Sequence, residues 1–414
     1  MTAHRAAALD EGRILDAVVV GAGLAGLRAA HALRDLDVAV LEREDRPGGR
    51  VLTEHHGGYV FDLGAVLPYR AADAPSGFTP GPVRPGFSRL ALVLAGRPHL
   101  GADPRRCLSA CGQEKPSPPV LEALFQRIHV GSPAAYLPCR TRDAFLPYST
   151  GFRRAGNGEL VRAQLHGAAR TPIVYGAAAE RVDRRGGLVR VHCRDAAGVP
   201  RTVRARAAVV ATTGLTARDL LARAAPTEVS RAFLASLRYG PATVCALAVR
   251  ARPRLPWAYA VTPELPATMV LQRDMGPGAG TVFQAYFMAH KSAPAAALDD
   301  DELRDRTAGL LRGLGLWDGD GDGDGDGVLA HGVRRWPAAG VIIAPESYRS
   351  WNPAVRRPLP GVFLAGDYVD VRSGCPLPYG MTAAIASGRE AAADVRAYLH
   401  ASPLPDLPDR SPRV

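Results

Sequence analysis

Three glycines, one acid and one arginine near the start of the chain have the types and spacing to hold a dinucleotide. Gly21, Gly23 and Gly26 make a GxGxxG run directly after the apolar stretch Asp16–Val20. The first allows a tight turn, the second lets the backbone approach a pyrophosphate, and the third lets a helix lie close to the preceding strand. Ala22, Leu24 and Ala25 complete the turn and open that helix, whose start offers unpaired N–H groups and a positive dipole end to phosphates. Glu42, sixteen residues after Gly26, closes a second apolar run, Val38–Leu41. A carboxylate there accepts hydrogen bonds from ribose hydroxyls and repels a 2′-phosphate. Glu42 suits NAD or the adenosine half of FAD equally. The stretch DRPGGR, Asp45–Arg50, favours FAD, because Gly48 and Gly49 bring the Arg50 guanidinium beside the same pyrophosphate for charge-assisted bonding.

A GxGxxG alone means little in a chain with 44 glycines among 414 residues. Here strand, turn, alanine-rich helix (Leu24–Asp35), second strand and terminal acid fall in order, which chance rarely supplies. The far end of the chain repeats the logic. Val362–Ala365 reads as a buried strand, with Gly366 and Asp367 at its carboxyl end and a helix over Gly380–Leu399. Between them, residues 172–213 alternate apolar and polar positions around turns at Arg185–Gly187 and Ala197–Gly198, as a β-meander does, and Ala207–Ala211 returns as a buried strand. Thr216–Leu237 and Leu298–Leu314 are helical candidates; Thr243–Ala251 and Thr281–Met288 are strand candidates.

These segments resemble the flavin amine oxidase and phytoene desaturase superfamily, including its protoporphyrinogen oxidase-like members. The resemblance rests on the acid, a following basic residue (Arg43), the GGR tail and the later FDLGA, Phe61–Ala65. Glu44 stands where the superfamily often has arginine, and Arg43 lies one place earlier. The resemblance implies a non-covalently bound FAD. It sets Leu63, Gly64 and Ala65 beside the flavin ring, Ala179 against adenine, and Gly366 and Asp367 at the pyrophosphate–ribityl part. The helix start at Gly380, Met381 and Thr382 then points N–H groups at the flavin N1–O2 edge, where a positive helix end stabilises the anionic reduced ring. The fold expected is α/β: a Rossmann-like FAD-binding domain with a parallel sheet and β-meander, plus a second α+β substrate-covering domain. Residues 14–67, 150–215 and 335–400 make the first and 68–149 and 216–334 the second, with 1–13 and 401–414 as flexible tails.

The resemblance is specific to the superfamily and not to one activity. Tyr379, Cys375, Trp336 and Tyr69 are the pocket candidates for catalysis. Gly380 fills the slot where many amine oxidases of the superfamily carry a cage tyrosine, and Tyr379 lies one place earlier. Cys375 follows the final strand, whereas the superfamily's flavin-linked cysteines precede it. Lys291 is a water-activator candidate by composition alone. The reaction expected is hydride removal from a small organic substrate, at an amine or amino-acid C–N bond or in C–C desaturation, with O2 or another acceptor reoxidising the flavin. Rival readings are an NAD(P)H-dependent aromatic hydroxylase, a non-redox flavin isomerase or cyclase, and a cofactor-free escort-like binding protein.

Composition bounds the rest. The net charge of +11 comes from arginines scattered without a dense cluster or interleaved aromatics, so no nucleic-acid partner is expected. No apolar run reaches the length of a spanning helix, and residues 1–13 lack the apolar core of a signal peptide. Six cysteines without metal or disulfide-framework spacing fit a reducing cytoplasm. The run DGDGDGDGDG, Asp318–Gly327, lacks the glutamate of a calcium loop: the twelfth place falls on Leu329 or His331. No metal is expected.

Overall fold

The computed structural model describes residues 12–65, 90–95, 97–101, 104–112, 115–126, 129–136, 138, 140, 156–250, 259–274, 280–317, 327–369 and 380–401. Tyr69, Cys375 and Tyr379, nearly all of the Asp–Gly run and most of both expected tails lie outside them.

Among the described residues the strands form two seven-stranded sheets and one hairpin. The first sheet contains β1 (Ile14–Val20), β2 (Val38–Glu42), β7 (Ile173–Tyr175), β8 (Ala178–Arg185), β9 (Leu188–Arg194), β10 (Pro200–Val210) and β16 (Val362–Leu364). Its order is β7-β2-β1-β10-β9-β8, with β16 also pairing β10. The pairs β7–β2, β2–β1, β1–β10 and β10–β16 are parallel, while β8, β9 and the first half of β10 form the antiparallel meander. The two halves of β10 thus take different neighbours on one edge. A Rossmann-like parallel sheet and a meander share that one long strand.

The second sheet contains β5 (Leu90–Leu94), β6 (Arg97–Gly101), β11 (Arg238–Val249), β12 (Tyr259–Val261), β13 (Met269–Asp274), β14 (Thr281–Met288) and β15 (Val328–Ile342). Its order is β15-β11-β14-β13-β12-β5-β6, antiparallel except for β12 with β5. The hairpin β3 (Thr53–His56) and β4 (Tyr59–Asp62) stands apart. The expected boundary at 334/335 falls inside β15, whose pairing with β11 runs on to Ile342, so residues 335–342 belong to the second sheet.

Side-chain alternation builds the layers. Ala17, Val19, Val38, Val40, Ala207 and Val209 pack against the Leu24–Ala32, Gly158–Gly167 and Gly380–Ala401 helices. The intervening Val18, Val20, Leu41, Ala208 and Val210 join one contiguous core with Val244, Ala246, Ala248 and Tyr286 of the second sheet. Cys245, Leu247, Phe283 and Phe287 face the far side, against Leu303, Leu311 and Trp317.

Three expected elements differ. The strand expected at Thr243–Ala251 starts five residues earlier, as β11, and Ala251 lies outside the described residues. Thr216–Leu237 is two helices, Gly214–Leu221 and Glu228–Ser236, broken where Ala225 takes φ +50 ahead of Pro226, which has no N–H to give. The first helix ends at Ala32, not Asp35, because the Asp37 carbonyl must accept from Asp16 and Ala17 and so turns the chain back toward β1. Thr281–Met288 lies where expected. No helix of the described residues is long and apolar enough to cross a membrane.

Candidate active site

Parallel register brings four strand ends to one edge. Val20 of β1 lies beside Leu41 of β2 and Val210 of β10, and Val210 beside Leu364 of β16. The segments that leave these ends, Gly21–Gly26, Glu42–Arg50 and Ala365–Asp367, therefore rim one crevice, the usual ligand position in such sheets. Gly21 has φ +103, and a Cβ on Gly26 would lie 1.9 Å from its carbonyl oxygen, so the turn and helix close only as glycine. No side chain caps the helix start at Gly23, and the space where a Cβ would stand there is open. Leu24, Ala25 and Gly26 form its buried first turn. Backbone donors and room for a phosphate thus coincide.

Glu42 is 7% exposed. Its Oε2 accepts from the Ala22 N–H at 2.6 Å and its Oε1 from the Glu44 N–H at 2.9 Å. A carboxylate offers about four lone-pair sites, so capacity remains for a ribose diol. The Ala177 N–H donates to the Glu42 carbonyl at 2.8 Å, which brings the bulge at Ala179 alongside. Arg43 is exposed, while Arg46 pairs with Glu44 at 2.8 Å. The Gly48 N–H donates to the Ala22 carbonyl at 2.8 Å, fastening the Gly48–Gly49 turn to the first glycine turn.

Arg50 closes the ring of segments. Its Nη2 donates to Asp367 Oδ1 at 2.7 Å across 317 residues, and its Nη1 donates to the Ala339 carbonyl at 3.0 Å. That carbonyl is turned out by a bulge in β15: Gly340 pairs with Gly240 and Trp336 with Ala242, leaving three residues, Pro337–Ala339, against Pro241. Neither proline can donate to the ladder, so the strands bow apart there. Burial opposes the Arg50 charge, but Asp367 outweighs it and raises the guanidinium pKa, helped by Tyr239, whose ring centroid lies 5.7 Å away, and by Tyr368. Burial drives both phenols above their ordinary range. Ser387 Oγ accepts from the Gly366 N–H at 2.9 Å, tying the second motif to the Gly380–Ala401 helix, whose first turn holds Gly380, Met381 and Thr382. A Cβ on Gly388 would lie 2.1 Å from the Ala25 carbonyl oxygen, so this helix touches the first one directly.

The Leu63–Ala65 turn is held from several elements. The Ala65 N–H donates to the Arg50 carbonyl at 2.9 Å, and a Cβ on Gly64 would lie 2.2 Å from that oxygen. Trp336, a pocket candidate from the sequence, spends its indole N–H on the Leu63 carbonyl at 2.7 Å. Lys291 is no free water activator: its ammonium donates to the carbonyls of Thr262, Pro263, Leu265 and Ala267 at 2.7–3.1 Å. Among the described residues no three His, Cys, Asp or Glu side chains could hold a metal ion.

Sequence reasoning missed Arg273, Gln284, Tyr286, Tyr239 and Asn157, and placed Asp62 only as part of the FDLGA segment. Asp62 and Arg273 form a buried ion pair, with side chains 2% and 4% exposed. Gln272–Arg273 and Gln284 interrupt apolar strands, and polar residues inside MVLQRD and VFQAYF were the available signal.

Uncapped donors, open space at Gly23 and spare capacity on Glu42 fit a dinucleotide with a pyrophosphate. The NAD(P)-binding Rossmann-like domain model matches residues 19–68. Polyamine oxidase 3 of Oryza sativa is 39% identical over 80 residues, 19% of this chain and 15% of that protein. The phytoene desaturase (neurosporene-forming) of Rhodobacter capsulatus is 51% identical over 53 residues, 12% and 10% of the two chains. The matched stretches therefore span less than a sixth of either relative. The structure of cyclohexylamine oxidase from Brevibacterium oxydans superposes with a TM-score of 0.70 at 16% identity, over 94% of this chain and all of that one. The Flavin containing amine oxidoreductase model matches residues 121–396, more than half of the 414-residue chain. With its Rossmann-like crevice, the chain belongs to the flavin containing amine oxidoreductase family, whose typical cofactor is FAD.

Proposed function

We propose that this protein is an FAD-dependent oxidase or dehydrogenase that removes hydride from a small organic substrate, first an amine C–N bond and second an allylic C–C bond. The observation that carries the reading is the convergence of Glu42, Gly48–Arg50 and Gly366–Asp367 on one crevice, joined by the Arg50–Asp367 pair. FAD, when bound, supplies the hydride acceptor. Glu42 holds the adenosine ribose, with Ala179 backbone beside the adenine. The Gly21–Gly26 turn and the helix start at Leu24 hold the pyrophosphate, and Arg50 and Gly366–Asp367 close on it. Leu63–Ala65 and the helix start at Gly380–Thr382 border the ring. The first sheet and its helices act as the FAD domain, and the second sheet, β15 included, covers the substrate. An apolar covering surface lowers an ammonium pKa and so favours the neutral amine that hydride transfer requires. The names of the polyamine and cyclohexylamine oxidases among the similar proteins support the C–N choice over desaturation.

Anaerobic mixing of the FAD-loaded protein with a panel of amines, amino acids and allylic compounds tests the reading. Bleaching of the oxidised flavin band by an amine, with peroxide released on admitting O2, is expected. Bleaching by NADPH alone would replace it with the hydroxylase reading, and turnover without bleaching with the isomerase reading.

A further inference from the structure

The Asp62–Ala65 turn has its carbonyls tied back by side chains of other elements, in a pattern that no motif of the crevice requires. The Asp62 carbonyl accepts from Gln284 Nε2 at 2.6 Å and from the Tyr286 hydroxyl at 2.8 Å. The Leu63 carbonyl accepts from Trp336 Nε1 at 2.7 Å, and the Ala65 carbonyl from Asn157 Nδ2 at 3.0 Å. On β4, the strand that leads into the turn, the Val60 carbonyl accepts from Arg273 Nη1 at 3.0 Å, while Arg273 Nη2 pairs with the Asp62 carboxylate. The other carboxylate oxygen accepts the Asn157 N–H at 2.9 Å and the Thr53 hydroxyl. Gln284 and Tyr286 are on β14, Arg273 on β13 and Trp336 on β15, so the second sheet supplies most of the grip.

A peptide unit is planar and trans, so its C=O and N–H point opposite ways. Holding the Leu63 carbonyl against the Trp336 indole therefore fixes the Gly64 N–H on the opposite side, where it has no hydrogen-bond partner among the described residues. We infer that Trp336, Tyr286, Gln284 and Arg273 are positioning residues: a clamp from the second sheet that sets the peptide planes of Leu63–Ala65 toward the flavin. The clamp rests on the reading that this turn borders the ring. It makes the second sheet, which covers the substrate, the same body that orients the backbone at the flavin.

Trp336→Phe removes the donor and trims the indole to a phenyl ring, a truncation that the control below shares. Tyr286→Phe removes only the hydroxyl and stands in if the first variant does not fold. Trp317→Phe is the control, a buried tryptophan whose N–H has no partner among the described residues. Each protein is saturated with FAD; FAD stoichiometry, thermal midpoint, visible-region circular dichroism and the ratio of reduced- to oxidised-FAD dissociation constants are measured. Both clamp variants are expected to keep one FAD per chain, change the dichroism, and shift the ratio about fivefold, the worth of one ordinary hydrogen bond. The control should leave dichroism and ratio unchanged even where its thermal midpoint moves. Clamp variants identical to wild type in dichroism and ratio overturn the clamp alone. A wild-type protein that takes up no FAD removes the functional reading first, and the clamp with it.

Discussion

Replacing Arg50 with methionine strands a charge, and the cost can be worked from the pair's surroundings. Asp367's side chain is 6% exposed and Arg50's 25%. Removing one partner of a buried pair costs about 3–5 kcal/mol, because the other stays desolvated without compensation. Arg50's partial exposure reduces this to roughly 2–3 kcal/mol, since water screens what it reaches. Asp367→Asn alone leaves Arg50 with its Ala339 carbonyl and some solvent, and costs less, about 1–2 kcal/mol. The double variant strands no carboxylate, so its loss falls below the sum by about 1–2 kcal/mol. At about 2.1 cal/mol/K per residue, 414 residues give an unfolding entropy near 0.9 kcal/mol/K, so Arg50→Met lowers the thermal midpoint by about 2–3 °C, more if the two sheets melt separately. Differential scanning calorimetry of the four proteins, with and without saturating FAD, reads the cycle. Additive single effects within about 0.3 kcal/mol would refute the reasoning, because the pair would then contribute nothing specific.

Three further outcomes follow from particular contacts. Gly26→Ala places a Cβ against the Gly21 carbonyl oxygen and should abolish FAD uptake, whereas Gly309→Ala, mid-helix with open space around it, should stabilise by about 1 kcal/mol; fluorescence titration with FAD and calorimetry separate the two. Lys291→Met leaves four carbonyls without their donor and should cost about 2–4 kcal/mol with the visible flavin spectrum unchanged, as thermal melts and spectra of one sample will show. Burial raises the Asp183 pKa, but Arg190 and His192 outweigh it and hold the net value low. Its folded pKa therefore lies below the unfolded one, and its stabilisation, present above the ordinary aspartate range, is lost as pH falls through the folded value. Asp183→Asn should flatten that acid limb in melts recorded from neutral to low pH.

The crevice was legible in the sequence because each part is local. Gly21–Gly26, Glu42 and Gly366–Asp367 each sit at the end of an apolar run, and parallel pairing then brings such ends together without further instruction. What joins them was not legible. Arg50 suggested a phosphate contact, but nothing in its neighbours names Asp367 or the Ala339 carbonyl, because that contact depends on a proline-forced bulge in a strand of the other sheet. Trp336 illustrates the same limit: the sequence made it a pocket candidate, but nothing local to it names the Leu63 carbonyl that its indole N–H meets. The boundary expected at 334/335 followed the extent of the family resemblance; β15 crosses it and continues past Pro337 through a bulge opposite Pro241.

The most direct test is the absorption spectrum of the purified protein, recorded as isolated, after reconstitution with FAD, and again on the supernatant after acid precipitation. Non-covalent binding of FAD in the crevice gives a yellow protein with one FAD per chain, all of it released into the supernatant. A colourless protein that acquires no flavin band at saturating FAD, or a flavin that stays with the acid pellet, would contradict it.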